Sequence, residues 1–257
     1  AGTAIGPAEL GVLASVGAEP VRCARRPRVA IVVSGDELVG PDEPLGPGKV
    51  RDSNAFTVPA LARTCGAEVL SSVKVRDDPT ATRDAIEEAL GADLVAISGG
   101  MSVGEHDHVR PALAELGAEQ VFWGVAIRPG RPTWFGVHPA GSLIVGLPGN
   151  PVSAVVCFLL LARPAILATQ GLAPDRHRTR AVLDSGYAKR PGRMHAVRCA
   201  LELREDGWHA RPTGEQASHI LTSMLGADAL ALIPAASASV EAGETVEVEL
   251  LPHAARV

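Results

Sequence analysis

A regular alternation of strand and helix patterns from residue 28 to about residue 170 constrains the fold more than any other feature. It begins with the apolar run Val29-Ala30-Ile31-Val32-Val33, which is typical of a strand buried on both faces. Further strands are predicted at 68–75, 93–98, 120–127, 132–137 and 142–147, and helices at 55–64, 79–90, 107–116 and 151–170. This alternation predicts right-handed crossovers and a three-layer α/β/α domain with a mainly parallel sheet.

The patterns at the two ends of the chain differ from that alternation and indicate separate units. Short strand patterns at 181–183, 194–203, 208–211 and 246–251 follow a charged linker and predict a small β-barrel-like domain over 174–257. Residues 28–173 are then the α/β domain. Residues 1–27 contain one predicted short helix after Gly6-Pro7 and a strand or linker at 20–26. We interpret them as the remnant of an N-terminal domain, and expect the chain to be a fragment or a processed product.

Composition excludes several classes of protein. The 257 residues are 46% hydrophobic with a net charge of −5, so we expect a sizeable core and no nucleic-acid partner, because binding to phosphate backbones needs cations. The four cysteines are widely spaced, which is typical of reduced thiols and indicates a cytoplasmic protein. The apolar segment 152–161 is shorter than the roughly 20 residues that a bilayer needs, so we expect a core helix and no membrane partner.

The stretch from Ser98 to Asp107, SGGMSVGEHD, has the pattern of a strand end, a glycine turn and a helix start. Backbone amides exposed in such a turn bind anions, and glycines let a ligand approach them closely. Ligands of parallel sheets bind beyond the carboxyl ends of the strands. We therefore expect the turns at 36–37, 77–78, 98–107 and 148–153 to meet along one rim of the sheet.

Each of these features also has a purely structural interpretation. Asp78-Pro79 and Asn150-Pro151 are sound helix starts whatever the function. Arginines 128 and 131 on a hairpin turn would ordinarily be solvated surface charges. The run Glu105-His106-Asp107-His108 is not expected to bind zinc, because sequential side chains rarely all point at one ion.

Six of these segments, in order, resemble the motif set of the MoeA family, the molybdopterin molybdenumtransferases, which include the E domain of gephyrin. They are SGDEL (34–38), RDSN (51–54), DDP (77–79), SGGMSVG (98–104), RPGRP (128–132) and LPGNPVS (147–153). The stretches GPAELGVLASVG (6–17) and GEQASH (214–219) look similar to the family as well. The resemblance therefore extends over essentially the whole chain.

The resemblance implies an enzyme that inserts molybdate into adenylylated molybdopterin and releases AMP in molybdenum cofactor synthesis. Mg²⁺ would be the cofactor, with adenylylated molybdopterin and molybdate as substrates. The carboxylates implied for catalysis are Asp77, Asp107 and Glu37, of which Asp77 and Asp107 would hold the metal. The residues implied for substrate binding are Gly99, Gly100, Ser102, Gly104, Arg128, Arg131, Pro132, Pro148, Asn150, Pro151, Ser153, Arg193, Arg198 and Ser218.

Two departures from the family pattern limit what the resemblance implies. The family commonly has lysines at the positions of Arg128 and Arg131, so the charge is kept while its geometry changes. Family members also have further N-terminal regions, form homodimers with a shared cleft, and have an adenylylating enzyme as a partner. We therefore expect this chain to hold substrate without turning it over. A noncatalytic molybdopterin-binding or scaffold module, and a related pyrophosphate-cleaving enzyme on the same fold, remain as alternatives.

Overall fold

The computed structural model of the protein describes residues 2–101, 107–175 and 177–252. In chain order its α-helices are α1 (Pro7–Ser15), α2 (Asn54–Thr64), α3 (Pro79–Ala89), α4 (Val109–Glu115), α5 (Pro151–Cys157) and α6 (Arg163–Thr169). A π-helical turn, Phe158–Ala162, joins α5 to α6, and a 3-10 turn lies at Leu221–Met224.

Two six-stranded sheets and two small ribbons contain the strands. The strands are β1 (Arg28–Ser34), β2 (Leu38–Val39), β3 (Val50–Arg51), β4 (Glu68–Val75), β5 (Leu94–Ser98), β6 (Glu119–Trp123), β7 (Ile127–Arg128), β8 (Trp134–Val137), β9 (Leu143–Leu147), β10 (Arg178–Leu183), β11 (Tyr187–Ala188), β12 (Met194–Arg204), β13 (Gly207–Pro212), β14 (Ala229–Ile233), β15 (Ser239–Val240) and β16 (Thr245–Leu250). The ribbons are β2 with β3 and β11 with β15.

The first large sheet has the order β4-β1-β5-β9-β8-β6. The strands β4, β1, β5 and β9 are parallel to one another, whereas β8 and β6 are antiparallel additions at one edge. The predicted α/β domain with a mainly parallel sheet is therefore confirmed. Since the parallel strands share one direction, their carboxyl ends form one edge of the sheet, which we call the rim.

Both faces of this sheet are covered by helices, which explains the apolar runs in its strands. On β1, Val29 and Ile31 belong to the core shared with α2, α5 and the π turn, and Ala30 and Val32 belong to the core shared with α3 and α4. The alternation follows from the two-residue period of a strand. The result is three layers, with the helices fixing where each strand ends.

The predicted strand 120–127 is wrong, because the chain leaves the first sheet after Trp123. Gly124 has φ +82 and donates its N–H to the carbonyl of Thr133, which turns the chain away from β8. Residues 127–128 then pair in parallel with residues 194–195 of the second sheet. Residues 127–128 therefore lie within the α/β part of the sequence, but their strand pairs with the barrel sheet.

Helix α2 begins at Asn54, close to the predicted residue 55, and continues through Pro59. Proline has no N–H and leaves the carbonyl four residues earlier without its helical partner. The hydroxyl of Ser72 on β4 lies 3.5 Å from that carbonyl, on Ala55. The sheet thus offers a weak substitute for the missing bond.

A single continuous helix runs over Pro151–Thr169 through the π turn. It is long and apolar enough to cross a membrane by composition, with a mean hydropathy of 2.1, but 72% of its most apolar window is buried inside the molecule. Leu159 and Phe158 are fully buried. These are the properties of a core helix, as expected from the sequence.

The second sheet closes into a five-stranded barrel. Its order is β13-β10-β16-β14-β12, β12 pairs back with β13, and β7 lies beside β12 on the outside. Alanines 181, 210, 229 and 231 and the valines 197, 246 and 248 fill its interior. Small side chains suit a barrel with so few strands. The predicted C-terminal β domain is confirmed, and the fully buried strand β14 is an addition that the sequence patterns did not predict.

The barrel packs directly on the long helix. Its outward-facing Leu230, Leu232 and Leu251 belong to the same apolar core as α5 and the π turn. Arg163 at the start of α6 forms a buried ion pair with Glu249 of β16. The two units are therefore joined by both apolar contact and paired charge.

The N-terminal segment is attached to the α/β domain mainly by charge. Helix α1 is present as predicted, and none of its residues is buried. Residues 20–26 form no strand in the structure. The guanidinium of Arg25 contacts Asp93 before β5. This contact and the N–H of Arg28 lower the pKa of Asp93 to about 2, although burial opposes the shift.

Candidate functional site

A cleft of about 650 Å³ lies at the rim of the first sheet. Nine residues predicted to bind or react with substrate line it, namely Glu37, Asp77, Gly99, Gly100, Asp107, Pro132, Pro148, Asn150 and Pro151. They come from the turns after β1, β4, β5 and β9 and from the start of β8. The convergence expected from strand direction is therefore present in the structure.

The turns after β1 and β4 are tied together through Asp77. Its carboxylate accepts a hydrogen bond from the Ser34 hydroxyl at 2.9 Å and from the Asp36 N–H at 3.1 Å. Asp36 in turn accepts from the N–H of Asp77 at 3.2 Å. Each Asp77 oxygen thus keeps a lone pair for a further partner while the carboxylate is held in place. Its neighbour Asp78 caps α3 through the Ala81 N–H at 2.8 Å, as predicted.

The glycine turn after β5 lies against β1 at very short range. Gly99 has φ +91, and a Cβ atom there would lie 2.1 Å from the carbonyl oxygen of Ser34. Gly100 has φ +60, and its Cβ would lie 2.5 Å from Val109. Only glycine fits either position. Ser102 and Gly104, also predicted to bind substrate, lie outside the described residues.

Asp107 places a buried carboxylate oxygen in the cleft. It is half-buried, and burial raises the pKa of its carboxyl, although the neighbouring Arg110 and Val109 amides and the Arg110 guanidinium oppose that shift. Its Oδ2 is buried and has no hydrogen-bond partner among residues 2–101, 107–175 and 177–252. An unpaired carboxylate oxygen in a cleft needs a cation or a proton. Among the described residues no group of three or more acidic, histidine or cysteine side chains is arranged for a metal.

Asn54 lines the cleft, although the sequence predicted no binding role for it beyond its place in the RDSN motif. It starts α2 and is 6% exposed. Its Nδ2 donates to the Ser98 hydroxyl and to the Gly149 carbonyl, both at 2.8 Å. Helix α2 therefore holds the turns after β5 and β9 together. No signal in the sequence besides the motif itself indicated this contact.

The RPGRP turn rests on helix α5. The Thr133 hydroxyl lies 2.7 Å from the Gly130 carbonyl and 3.0 Å from the Cys157 sulfur. A Cβ on Gly130 would lie 2.2 Å from that sulfur. Thr133 and Cys157 are fully buried, and burial raises the pKa of the Cys157 thiol to about 12. Cys157 is thus a packing residue, as expected for the thiols of this chain.

Arg128 lines a second cavity of about 270 Å³ and not the main cleft. The other residues around this cavity are Pro129, Tyr187, His195, Ala196, Glu215, Gln216 and Ala217. The Tyr187 hydroxyl lies 3.2 Å from Nδ1 of His195. Burial and the charges of Arg128, Lys189 and Arg193 lower the pKa of His195 to about 4. The cavity wall therefore contains one guanidinium (Arg128), one carboxylate (Glu215) and an imidazole that is neutral at pH 7.

Several residues that were predicted to bind substrate line neither of the two cavities. The guanidinium of Arg198 is fully buried and donates to the carbonyls of Glu215, Gln216 and Ala217 and to the Ser223 hydroxyl. It supports that loop and lines neither cavity. Ser153 is buried in α5, whereas Arg131 and Arg193 are exposed.

Ser218 has an indirect connection to the cleft. Its hydroxyl accepts from the Asn150 side-chain amide at 3.1 Å, and its carbonyl accepts from the Val152 N–H at 3.2 Å. His219, next to it, lines the cleft. The barrel loop 214–219 thus forms part of the site wall, as its motif had indicated.

Two protein-family models match the chain and divide it as the two large sheets do. Residues 30–168 match the probable molybdopterin binding domain, and residues 180–251 match the MoeA C-terminal region, domain IV. The fold and rim therefore define a protein built on a molybdopterin-binding domain with an attached barrel. With both models matched in order, the chain belongs to the MoeA family.

Relatives and solved structures agree with this assignment. The chain is 36% identical to a molybdopterin molybdenumtransferase from Nostoc and 35% identical to one from Bacillus subtilis, over 98% and 97% of its length. It covers 59% and 58% of those proteins. A MoeA protein from Pyrococcus horikoshii superposes with a TM-score of 0.82 at 32% identity, over 97% of this chain and 60% of that one. The chain thus spans about 60% of the length of these relatives.

Proposed function

We propose that this chain carries the substrate-binding core of a molybdopterin molybdenumtransferase, which inserts molybdate into adenylylated molybdopterin and releases AMP. The observation that carries the proposal is the convergence of the MoeA-like turns on one cleft that contains a buried, unpaired carboxylate oxygen. The names of the relatives support the reaction.

We assign Mg²⁺ to Asp107 and Asp77, with Glu37 as a further acid nearby. The unpaired Oδ2 of Asp107 and the free lone pairs of Asp77 fit a hard cation. Two protein carboxylates suffice, because Mg²⁺ usually keeps waters and takes substrate phosphates as its other ligands. When bound, the ion would neutralise charge on the phosphoanhydride.

The remaining roles belong to the protein's own groups. Gly99 and Gly100 let the turn lie close against Ser34 and Val109, and the backbone amides of this turn would meet a phosphate. In the second cavity, the Arg128 guanidinium is suited to a small oxyanion such as molybdate, because a guanidinium binds oxyanions bidentately. Arg198 acts through the loop 215–217, which forms one wall of that cavity.

The assembly and location belong to the same proposal. We propose a homodimer for the full-length protein, an adenylylating enzyme as the supplier of its substrate, and a location in the cytoplasm. The exposed Cys23 and the buried Cys65, Cys157 and Cys199 are all free thiols, which suits a reducing compartment.

Calorimetry with adenylylated molybdopterin, with and without Mg²⁺, tests the metal assignment. We expect Mg²⁺ to increase the affinity of the wild type about 10-fold or more, because it offsets like charges in the cleft. Asp107→Ala should bind equally with and without Mg²⁺. Asp78→Ala is the matched control, since it removes a carboxylate that caps α3 and should cost only about 1 kcal/mol of stability.

Equal affinity in all four wild-type and Asp107→Ala titrations would remove Asp107 from the metal site. Molybdate-dependent AMP release by the 257-residue chain would overturn the expectation that it holds substrate without turnover. Tight binding of ADP-ribose in place of adenylylated molybdopterin would favour the pyrophosphate-cleaving alternative. Binding of a partner peptide without affinity for molybdopterin would favour the scaffold alternative.

A further inference from the structure

Asn54 has one side-chain atom that makes no hydrogen bond with the described part of the chain. Its Nδ2 makes both of the hydrogen bonds described above, and its Oδ1 is buried without a partner among the described residues. A buried acceptor left unpaired costs stability comparable to a lost hydrogen bond. Because Asn54 lines the cleft, the group that completes its hydrogen bonding is to be sought in what the cleft binds.

The orientation of the amide is fixed by its neighbours. The Gly149 carbonyl only accepts hydrogen bonds, so the atom 2.8 Å from it must be the nitrogen. Turning the amide over would place two carbonyl oxygens against each other. The Ser98 hydroxyl can donate or accept and adjusts to this choice. Oδ1 therefore remains the free atom.

An amide oxygen selects a particular part of a ligand. It accepts hydrogen bonds and cannot donate them, whereas phosphate and molybdate oxygens at neutral pH are also acceptors. Oδ1 would repel those groups. Its complement is a hydroxyl or N–H group, which in adenylylated molybdopterin exists on the ribose and on the pterin.

We propose that Asn54 binds substrate in the cleft, with Oδ1 accepting a hydrogen bond from a hydroxyl or N–H group of the ligand while Nδ2 holds the turns after β5 and β9. This inference rests on the proposed function for the identity of the ligand. Asn54 would then recognise an uncharged part of the substrate, while the neighbouring carboxylates and backbone amides would bind the charged part of the substrate.

Separate titrations of AMP and molybdopterin, without Mg²⁺, test this assignment. Asn54→Leu removes Oδ1 with little change of volume, and Ser98→Ala removes one partner of Nδ2 while leaving Oδ1 in place. We expect Asn54→Leu to weaken one of the two ligands about 10- to 100-fold. Ser98→Ala should stay within about 3-fold for both. The ligand that responds identifies the source of the donor group.

Thermal unfolding of each variant separates binding from folding. Equal loss of affinity in Asn54→Leu and Ser98→Ala, in proportion to their loss of Tm, would overturn the proposal in favour of a structural amide. Unchanged affinity of Asn54→Leu for both ligands would also overturn the proposal. A loss of affinity that appears only when Mg²⁺ is present would do the same. If the wild type binds neither ligand, the proposed function fails and this inference fails with it.

A ligand-side measurement covers the case in which Asn54→Leu does not fold. The wild type is titrated with AMP, 2′-deoxy-AMP and 3′-deoxy-AMP, and with molybdopterin and an N-methylated pterin analogue. A loss of about 10-fold or more on removing one donor supports the assignment, and Asn54→Ser should then bind the parent and the analogue equally. No loss for any analogue overturns it.

Discussion

At the scale of single residues, the cleft depends on backbone segments that approach more closely than side chains allow. Gly99 against Ser34 is the tightest of these contacts at the rim. Gly146 on β9 instead leaves room for a side chain, since a Cβ there would lie 2.3 Å from the Met101 side chain. Gly99 thus sets the spacing between the ends of β1 and β5, from which the site is built.

Replacing Gly99 by alanine should destabilise the protein by about 3 kcal/mol or more, because the new methyl group meets a backbone carbonyl that cannot move aside. The measurement is chemical denaturation. Gly141→Ala is the matched control, since Gly141 has a similar φ of +100 but open space around its Cβ position. It should cost about 1 kcal/mol from backbone strain alone. Equal losses would show that the close contact has no energetic weight.

Sequence reasoning predicted the residues whose role is local. The Asp78 cap depends on neighbours in the chain and is in place. Asn150 and Pro151 begin α5 as predicted, although the Asn150 side chain donates to Ser218 and does not cap the helix. The positions of Arg198 and Asn54 could not be predicted in this way. Their partners at 215–217 and 149 come from distant segments, and nothing in the local pattern specifies which carbonyl a buried donor will meet.

At the scale of elements, α6 and β16 are joined by a buried charge cluster. Arg163 and Glu249 are each 2% exposed, and Arg178 binds the second oxygen of Glu249 at 2.8 Å. Arg163 also donates to the Leu250 carbonyl at 3.0 Å. A buried pair of this kind is costly to break, because one charge is then left without a partner.

Glu249→Gln should destabilise the protein by about 3–5 kcal/mol, since it leaves the Arg163 guanidinium buried without a counter-charge. Glu247→Gln is the matched control on the same strand. Glu247 also pairs with Arg178 but is half exposed, so its loss should cost less than about 1 kcal/mol. Denaturant titration of both variants gives the comparison, and similar losses would contradict a special role for the buried pair.

Strand and helix periodicity predicted most of the elements, and it failed where pairing crosses between the two units. Residues 120–127 look like one strand, and only the capture of Ile127 and Arg128 by β12 shows that they are two. The π turn within the long helix was likewise not predicted, since an apolar helix keeps its pattern through such a turn. Both features depend on what the segment packs against.

At the scale of the whole molecule, the α/β domain and the barrel form the packed body, and α1 lies outside it. Leu10, Val12 and Val16 are 59%, 63% and 71% exposed. The segment that follows α1 is held at Asp93, through Arg25 and the N–H of Arg28 at 2.7 Å. The order of the body therefore does not depend on the first 17 residues.

Deleting residues 1–17 should change the free energy of unfolding by less than about 1 kcal/mol, because no side chain of α1 is buried in the folded protein. Asp93→Asn should cost about 1–2 kcal/mol, since the attachment at Arg25 and Arg28 is weakened. The pKa of Asp93 is lowered from 3.8 to about 2. Its contribution is therefore complete above about pH 4 and lost as the pH falls through 2.

Thermal unfolding of both variants between pH 2 and pH 7 checks these expectations. A large loss on deletion would place α1 in the packed body. A loss for Asp93→Asn that stays the same at pH 2 as at pH 7 would contradict the assigned charge contact.

The pairing of residues 127–128 with residues 194–195 also sets an order of events during folding. Loop closure over so many residues is slow compared with the formation of local helices and hairpins. The RPGRP turn (128–132) contacts α5 through the hydrogen bond of Thr133 to Cys157. Arg128, at the start of that turn, reaches its final position only once β12 has formed. We therefore expect the α/β sheet to assemble first, and the RPGRP turn to reach its final shape only when the last third of the chain has folded.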